Sequence, residues 1–311
     1  MSDPAFERRP FPVAAGWKKA LSLGLTGTLV LLLLLTAPVS AQIPFSALRF
    51  LKPDGQISPA LLTECSGLVH SLRYNGVFWA HGDGGSGASI VPVTASGKLA
   101  RGWTGAVRVE GCKNNDWEDI ALDDKGNLII ADVGNNSGRR KQLMLHFVSE
   151  PKPGTVSVRP TRTLRVHYED QKGDSPDYDC EAVFSAGGRI FCLTKHRSDK
   201  RTRLYRLDGE STTRSNPLRL VGSFDVGGMV TAADASPDGK LVAVLTYTTL
   251  WVFSYDRASG SIFTKSESVR RTPIFAWQAE AVAWEGKDAL VIANENGQLF
   301  RVALSSLQAA R

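Results

Sequence analysis

From residue 64 onward the chain is cut into short apolar runs separated by polar turns, and one layout recurs. Its clearest copy is residues 114–136, NNDWEDIALDDKGNLIIADVGNN. Glu118 opens an apolar run, Asp123-Asp124-Lys125-Gly126-Asn127 makes a turn, residues 128–131 form a second apolar run, and a polar cluster from Asp132 to Asn136 closes the unit. Such brief runs, bounded by turn signals, predict strands buried on both faces. Glu64 (ECSGLVHS), Glu181 (DCEAVF), Asp234 (TAADAS) and Glu280 (QAEAVAW) open the other copies, each with its own turn and returning strand. After residue 41, no stretch has helical periodicity.

A strand–turn–strand unit repeated at this period predicts an all-β chain forming a single β-propeller. Successive opening acids lie 54, 63, 53 and 46 residues apart. Each of the first four units carries two further strands, which gives five blades of four antiparallel strands. Six blades would require one repeat to be misread. The fifth unit has only residues 298–302 left, so it is one strand short. Residues 47–51 (ALRFL) are an apolar strand without a partner and are expected to complete that blade, closing the ring from the N-terminal side and removing exposed edges.

Residues 1–41 have a different pattern. Arg8, Arg9, Lys18 and Lys19 precede an apolar stretch over 20–35, and Val39-Ser40-Ala41 fits a signal-peptidase site. The expectation is a signal peptide over 1–41, a propeller domain over 42–311, and a periplasmic or secreted protein. The alternative is an uncleaved segment that anchors the chain to a membrane. The whole chain has a net charge of +6, and removing four basic and two acidic residues with the leader leaves 33 Lys+Arg against 29 Asp+Glu. With no dense basic run, nucleic acid is excluded as a partner.

Cys65, Cys112, Cys180 and Cys192 make an even count in an expectedly exported chain, which favours disulfides. Cys180 opens a first strand and Cys192 lies in the strand returning beside it, which leaves Cys65 with Cys112. Four buried free thiols are the alternative. Trp79, Trp103, Trp117, Trp251, Trp277 and Trp284 are expected to pack between blades.

In a blade, the start of the first strand and the end of the second share a face. Glu64, Glu118, Glu181 and Glu280 therefore converge at one channel mouth, with Asp234 a less regular fifth. Converging carboxylates must either take up protons or hold cations. Calcium suits the set, because it accepts six to eight oxygen ligands in flexible geometry. Asp83, Asp132, Asn135, Tyr247 and Glu295 are expected around the ring, and Lys195 and Arg139 on the same face. Glu118, Lys195 and Arg139 are the catalytic candidates: a metal-held water would attack while the two cations neutralise developing charge. No nucleophilic triad is readable.

ECSGL, FWAHGDGG, DWEDIAL, ADVGNN, DCEAV, TAADASPDG and QAEAVAW together resemble a family of exported bacterial β-propeller proteins. More remotely, the acid ring is similar to that of calcium-dependent propeller hydrolases, namely phytase-like phosphatases, apyrases and lactonases. That resemblance implies a metal-dependent hydrolase of phosphate esters or lactones acting on a small anionic substrate. The rival expectation is a non-catalytic scaffold with a structural ion that binds a protein or glycan. Either would be a monomer.

Overall fold

The computed structural model describes residues 51–264 and 269–310. The expected leader, and all but Leu51 of the expected closing strand, lie outside those residues. Among the described residues there are 22 strands and no α-helix, and no helix long and apolar enough to cross a membrane.

After β1 (Gly55–Gln56), the first unit is β2 (Cys65–His70), β3 (Phe78–Gly82), β4 (Ser89–Val93) and β5 (Val107–Val109). The second is β6 (Trp117–Leu122), β7 (Asn127–Asp132), β8 (Leu143–Ser149), the short β9 (Ser157–Val158) and β10 (Arg162–Tyr168). The third is β11 (Cys180–Ala186), β12 (Arg189–Thr194), β13 (Arg201–Leu207) and β14 (Asn216–Asp225). The fourth is β15 (Val230–Ala235), β16 (Leu241–Thr246), β17 (Thr249–Ser254) and β18 (Arg270–Pro273). The last is β19 (Ala279–Glu285), β20 (Ala289–Asn294) and β21 (Gln298–Ala303), followed by β22 (Gln308–Ala309). The fourth strand of the fourth unit is β18.

The first strands of the units form the inner wall. β2 lies against β6 and β19, β11 against β6 and β15, and β15 against β19, so the inner strands make a propeller-like ring. The space between successive units is filled by apolar side chains. Trp79 and Trp117 lie in the cluster between the first two units, and Trp284 in the cluster between the fourth and last. The strands are buried on both faces because each sheet packs against two neighbours. β11 is buried along its whole length, Glu181 and Ser185 included.

The outer edges are covered, though not by five separate four-stranded sheets. β10 and β14 pair in parallel and join two units into one eight-stranded sheet. β9 adds to β5, and β22 adds to β18. The last unit is completed from the N-terminal side, but by β1, with Gly55 opposite Leu299 and Gln56 opposite Gln298. Each of these pairings satisfies backbone groups that an outer strand would otherwise leave as an open edge.

Candidate functional site

The five inner strands share one irregularity. Each has a register shift at its start, between Cys65 and Gly67, Trp117 and Asp119, Cys180 and Ala182, Val230 and Ala232, and Ala279 and Ala281. A bulge puts one extra residue on the strand and re-aims its side chain. The extra residues are Ser66, Glu118, Glu181, Thr231 and Glu280. Ser66 Oγ donates to the Glu118 carbonyl at 3.0 Å, and Thr231 Oγ1 to the Ala279 carbonyl at 2.8 Å. At two positions the device therefore fastens neighbouring strands. At the other three it presents a carboxylate.

Those three glutamates line a cavity of about 210 Å³ together with Glu64, Asp83, Glu295, Lys195, Tyr247, Asn136 and Gln278. Six carboxylates thus face a single ammonium. Lys195 Nζ is 2.9 Å from Glu181 Oε2 and sits over the Tyr247 ring, 5.3 Å from its centroid. Burial works against the Lys195 charge, but Glu181, Tyr247 and Glu280 outweigh it and raise its pKa. Arg197 Nη2 is 2.8 Å from Asp179 Oδ2 and also bonds Asn136.

Two groups of acids converge tightly enough to chelate: Asp83 with Asp116 and Glu118, and Glu118 with Asp179 and Glu181, the oxygens of each lying within 4.8 Å of one another. Their surroundings differ. Asp179 and Glu181 already hold Arg197 and Lys195. Asp179 also accepts from Asn135 N at 2.6 Å. Glu118 is 7% exposed, and among the described residues its carboxylate has no hydrogen-bond donor and no ion pair. Gly134 approaches it so closely that a Cβ there would run into Glu118 Oε1 and the Asp116 carboxylate. Burial first, then Glu181, Asp116, Asp83 and Asp179, push the Glu118 carboxyl well above its usual range. Burial, then Asp83, lifts Asp116 to about 6. Two like charges at this separation repel by about 4 kcal/mol at an effective dielectric near 20. A cation between Asp83, Asp116 and Glu118 would reverse the sign of that energy, so these acids could hold a metal ion.

Asp234, expected in the ring, lies at the other end. It lines a second cavity of about 880 Å³ bordered by the turns 123–126 and 236–240, and it accepts from Trp284 N at 2.8 Å. Burial lifts its carboxyl to about 7 against that hydrogen bond. Asp132 and Asn135 do not line the acidic cavity. Asp132 accepts from Arg140 Nη2 at 2.5 Å, Asn115 Nδ2 at 2.9 Å and Asp116 N at 3.0 Å. Asn135 Oδ1 accepts from Arg140 N at 2.7 Å. Arg139 is on the surface, 79% exposed, with its Nε 4.0 Å from Asp174. His81 and His196 are buried outside the cavity lining.

The expected disulfides are not formed: all four cysteines are free. Cys65 packs between the last and first units, and Cys112 against the cluster between the first and second. Cys180 and Cys192 share one cluster, but the bulge sets Cys180 opposite Thr194 and puts Val183 opposite Cys192.

Asp116 and Asp179 were missed in the sequence, although a signal was there. Each stands two residues before a ring glutamate, in DWE and DCE. Glu64 and Gln278 hold the same place before Ser66 and Glu280. Glu64 and Gln278 have left-handed backbones, with φ of 54° and 49°.

No family model matches the chain, and no curated protein matches it. Among solved structures it is similar to virginiamycin B lyase from Staphylococcus aureus, at 12% identity and a TM-score of 0.38 over 77% of this chain and 66% of the lyase. It is also similar to Kuenenia stuttgartiensis hydrazine synthase, at 10% identity and a TM-score of 0.42 over 78% of this chain and 96% of the other. A luciferin-regenerating enzyme matches at 17% identity and a TM-score of 0.43 over 79% of this chain and 80% of its own. The first of these is matched over less than two thirds of its length. Likeness this slight transfers no activity and no residue roles.

Proposed function

We propose that the chain is an exported, five-bladed propeller that holds one calcium ion on Asp83, Asp116 and Glu118 and hydrolyses an uncharged ester or lactone beside it. The observation that carries the reading is Glu118: a buried carboxylate with no donor, between two more acids, in a cavity open to solvent. When bound, the ion supplies a Lewis acid that polarises a carbonyl oxygen and acidifies water. Glu280 lies in the same lining, and burial lifts its carboxyl to about 7 against Lys195 and a hydrogen bond from Tyr247. That suits a general base near neutrality, accepting a proton from the attacking water at its carboxylate. Lys195, held by Glu181, offers positive charge to a developing oxyanion.

Charge decides between the two substrate classes. Six lining carboxylates against one ammonium leave the cavity net negative even with a divalent ion present. A phosphate ester would enter against that field, whereas a lactone would not. Arg139, on the surface beside Asp174, takes no part in this reading.

A non-catalytic propeller with a structural ion is favoured by the cavity lining: it holds no histidine, and its one serine, Ser66, is tied to the Glu118 carbonyl. A screen of lactones and aryl esters, with calcium and with a chelator, separates the two. Calcium-dependent turnover that Glu118→Gln removes supports the hydrolase. Calcium binding without turnover on any member supports the scaffold.

A further inference from the structure

The acidic cavity uses the starts of the inner strands, and their far ends border the other cavity, of about 880 Å³. His70, Leu122, Ser185, Ala235 and Trp284, one from each inner strand, all line it. Four of the five acids in its lining already have donors. Asp123 accepts from Lys125 N at 2.9 Å and Asn127 N at 2.8 Å, Glu150 from Trp79 Nε1 at 2.8 Å, Asp238 from Ser236 Oγ at 2.7 Å, and Asp234 from Trp284 N. Asp124 has Ser185 Oγ at 3.5 Å. Three of the four basic side chains, Arg73, Lys125 and Arg257, form no ion pair among the described residues. At the acidic mouth the carboxylates are left over and the ammonium is held; here the acids are held and cations are left over.

One polar atom in this lining also lacks a partner. The Tyr255 hydroxyl is buried and makes no hydrogen bond among the described residues, a cost to folding unless something else completes it. Its position is fixed: Tyr255 N donates to the Lys240 carbonyl at 2.8 Å, and the ring stands edge-on to Phe191 with centroids 5.8 Å apart. Gly187, left-handed at φ 58°, brings the hairpin between β11 and β12 against Tyr255 and Arg257 together. A Cβ there would lie 3.2 Å from the hydroxyl and 3.3 Å from Arg257 Nε. The unpartnered hydroxyl and the unpaired guanidinium are therefore neighbours. Burial raises the pKa of the phenol against Arg189, Arg257 and Arg206, so it stays a donor. Of the exposed large apolar side chains, Leu72 lines this cavity, whereas Trp277, expected to pack between units, is 59% exposed and lines neither cavity.

We infer that Tyr255 and Arg257 anchor a second ligand site at this mouth, and that its ligand is an organic carboxylate. A carboxylate brings two acceptor oxygens, one for the phenolic O–H and one for the guanidinium. Arg257 is exposed, so its side chain can turn to meet the anion without disturbing the core. Four basic and five acidic side chains leave the lining at −1, or at zero when Asp234 is protonated, so a phosphate dianion is repelled more than a monoanion. Val69, Leu122 and Pro237, with the exposed Leu72, give an apolar body a surface to lie on. The site shares no lining residue with the acidic cavity, and it stands whether or not that cavity holds a metal.

The test is calorimetric titration with benzoate, benzyl alcohol and inorganic phosphate, each in the presence of calcium and again with a chelator. Benzoate is expected to bind equally well in both conditions, and the alcohol and phosphate about tenfold more weakly or worse. Arg257→Ala and Tyr255→Phe should each weaken benzoate about tenfold, as for losing one hydrogen bond to a charged group. Tyr255→Phe removes only a hydroxyl that has no partner in the fold, so its melting temperature should not fall. Benzoate binding that requires calcium overturns the inference, because it places the ligand on the metal. So does alcohol binding as tight as that of benzoate, unchanged benzoate affinity in both variants, or no benzoate binding to the parent.

Discussion

Two buried acids, Asp119 and Glu118, are neighbours in sequence and differ in almost everything else. Asp119 is fully buried near the ring axis and accepts from three backbone N–H groups: Ile120 at 2.8 Å, Val183 at 2.9 Å and Ala233 at 3.2 Å. It ties β6 to β11 and β15. Burial still pushes its carboxyl well above the usual range, against those bonds. Glu118, one residue earlier, has no donor among the described residues. Glu118 is the bulged residue, so its side chain faces the cavity while that of Asp119 turns into the ring. Partners, more than burial or charge, therefore separate an acid that holds the fold from one left available for a ligand.

The sharpest way to break this contrast is Asp119→Ala. It leaves three buried N–H groups without an acceptor and should cost about 3 kcal/mol or more in denaturant unfolding. Calcium should not recover the loss. A loss under 1 kcal/mol would show that the three bonds do not hold the ring. Gly134→Ala comes next. Its Cβ must displace Glu118 and Asp116, so calcium affinity should fall by about a hundredfold or more, on the scale of losing a metal ligand's positioning. Unchanged affinity would mean that the ion lies elsewhere.

The pH dependence of Asp234 tests the other end of the molecule. Its carboxyl lies near 7 in the folded chain, above its ordinary 3.8. The folded state then binds more protons than the unfolded one between those values, so this group's contribution is most favourable below about pH 4 and is lost as pH rises through 7. Asp234→Asn should accordingly gain on the parent between pH 4 and pH 8, by up to roughly 4 kcal/mol. A gap that stays flat, or narrows, contradicts the assignment. The smallest effect is expected at Arg139→Ala: within about 0.5 kcal/mol, as for other exposed ion pairs, and with no change in calcium binding.

Much of this was legible in the chain. The four-residue apolar runs after each turn located the returning strands, and the residue opening each unit placed Glu118, Glu181 and Glu280 together. Asp234 misled because acidity was followed in place of spacing. Thr231 lies eight residues before Gly239, as Glu118 does before Gly126, and Thr231 occupies the bulge. Side-chain chemistry varies at that position while the backbone irregularity persists, and a bulge leaves no reliable mark in composition. Asp132 and Asn135 misled for another reason. Both sit at the correct end of a strand, but Arg140 folds back on them, a contact that depends on the path of an irregular loop. The exposure of Trp277 was equally hidden, since it follows from two left-handed residues in succession.

The central claim is the cation site on Asp83, Asp116 and Glu118, and the most direct test is calcium titration with melting of chelated protein, parent beside Glu118→Gln. One calcium per chain is expected in the parent, with a higher melting temperature on binding. Neither is expected in Glu118→Gln, whose chelated form should melt above the chelated parent at neutral pH, because folding no longer has to bury an unpaired carboxyl whose pKa it raises. No calcium uptake by the parent, or unchanged uptake by Glu118→Gln, would contradict it.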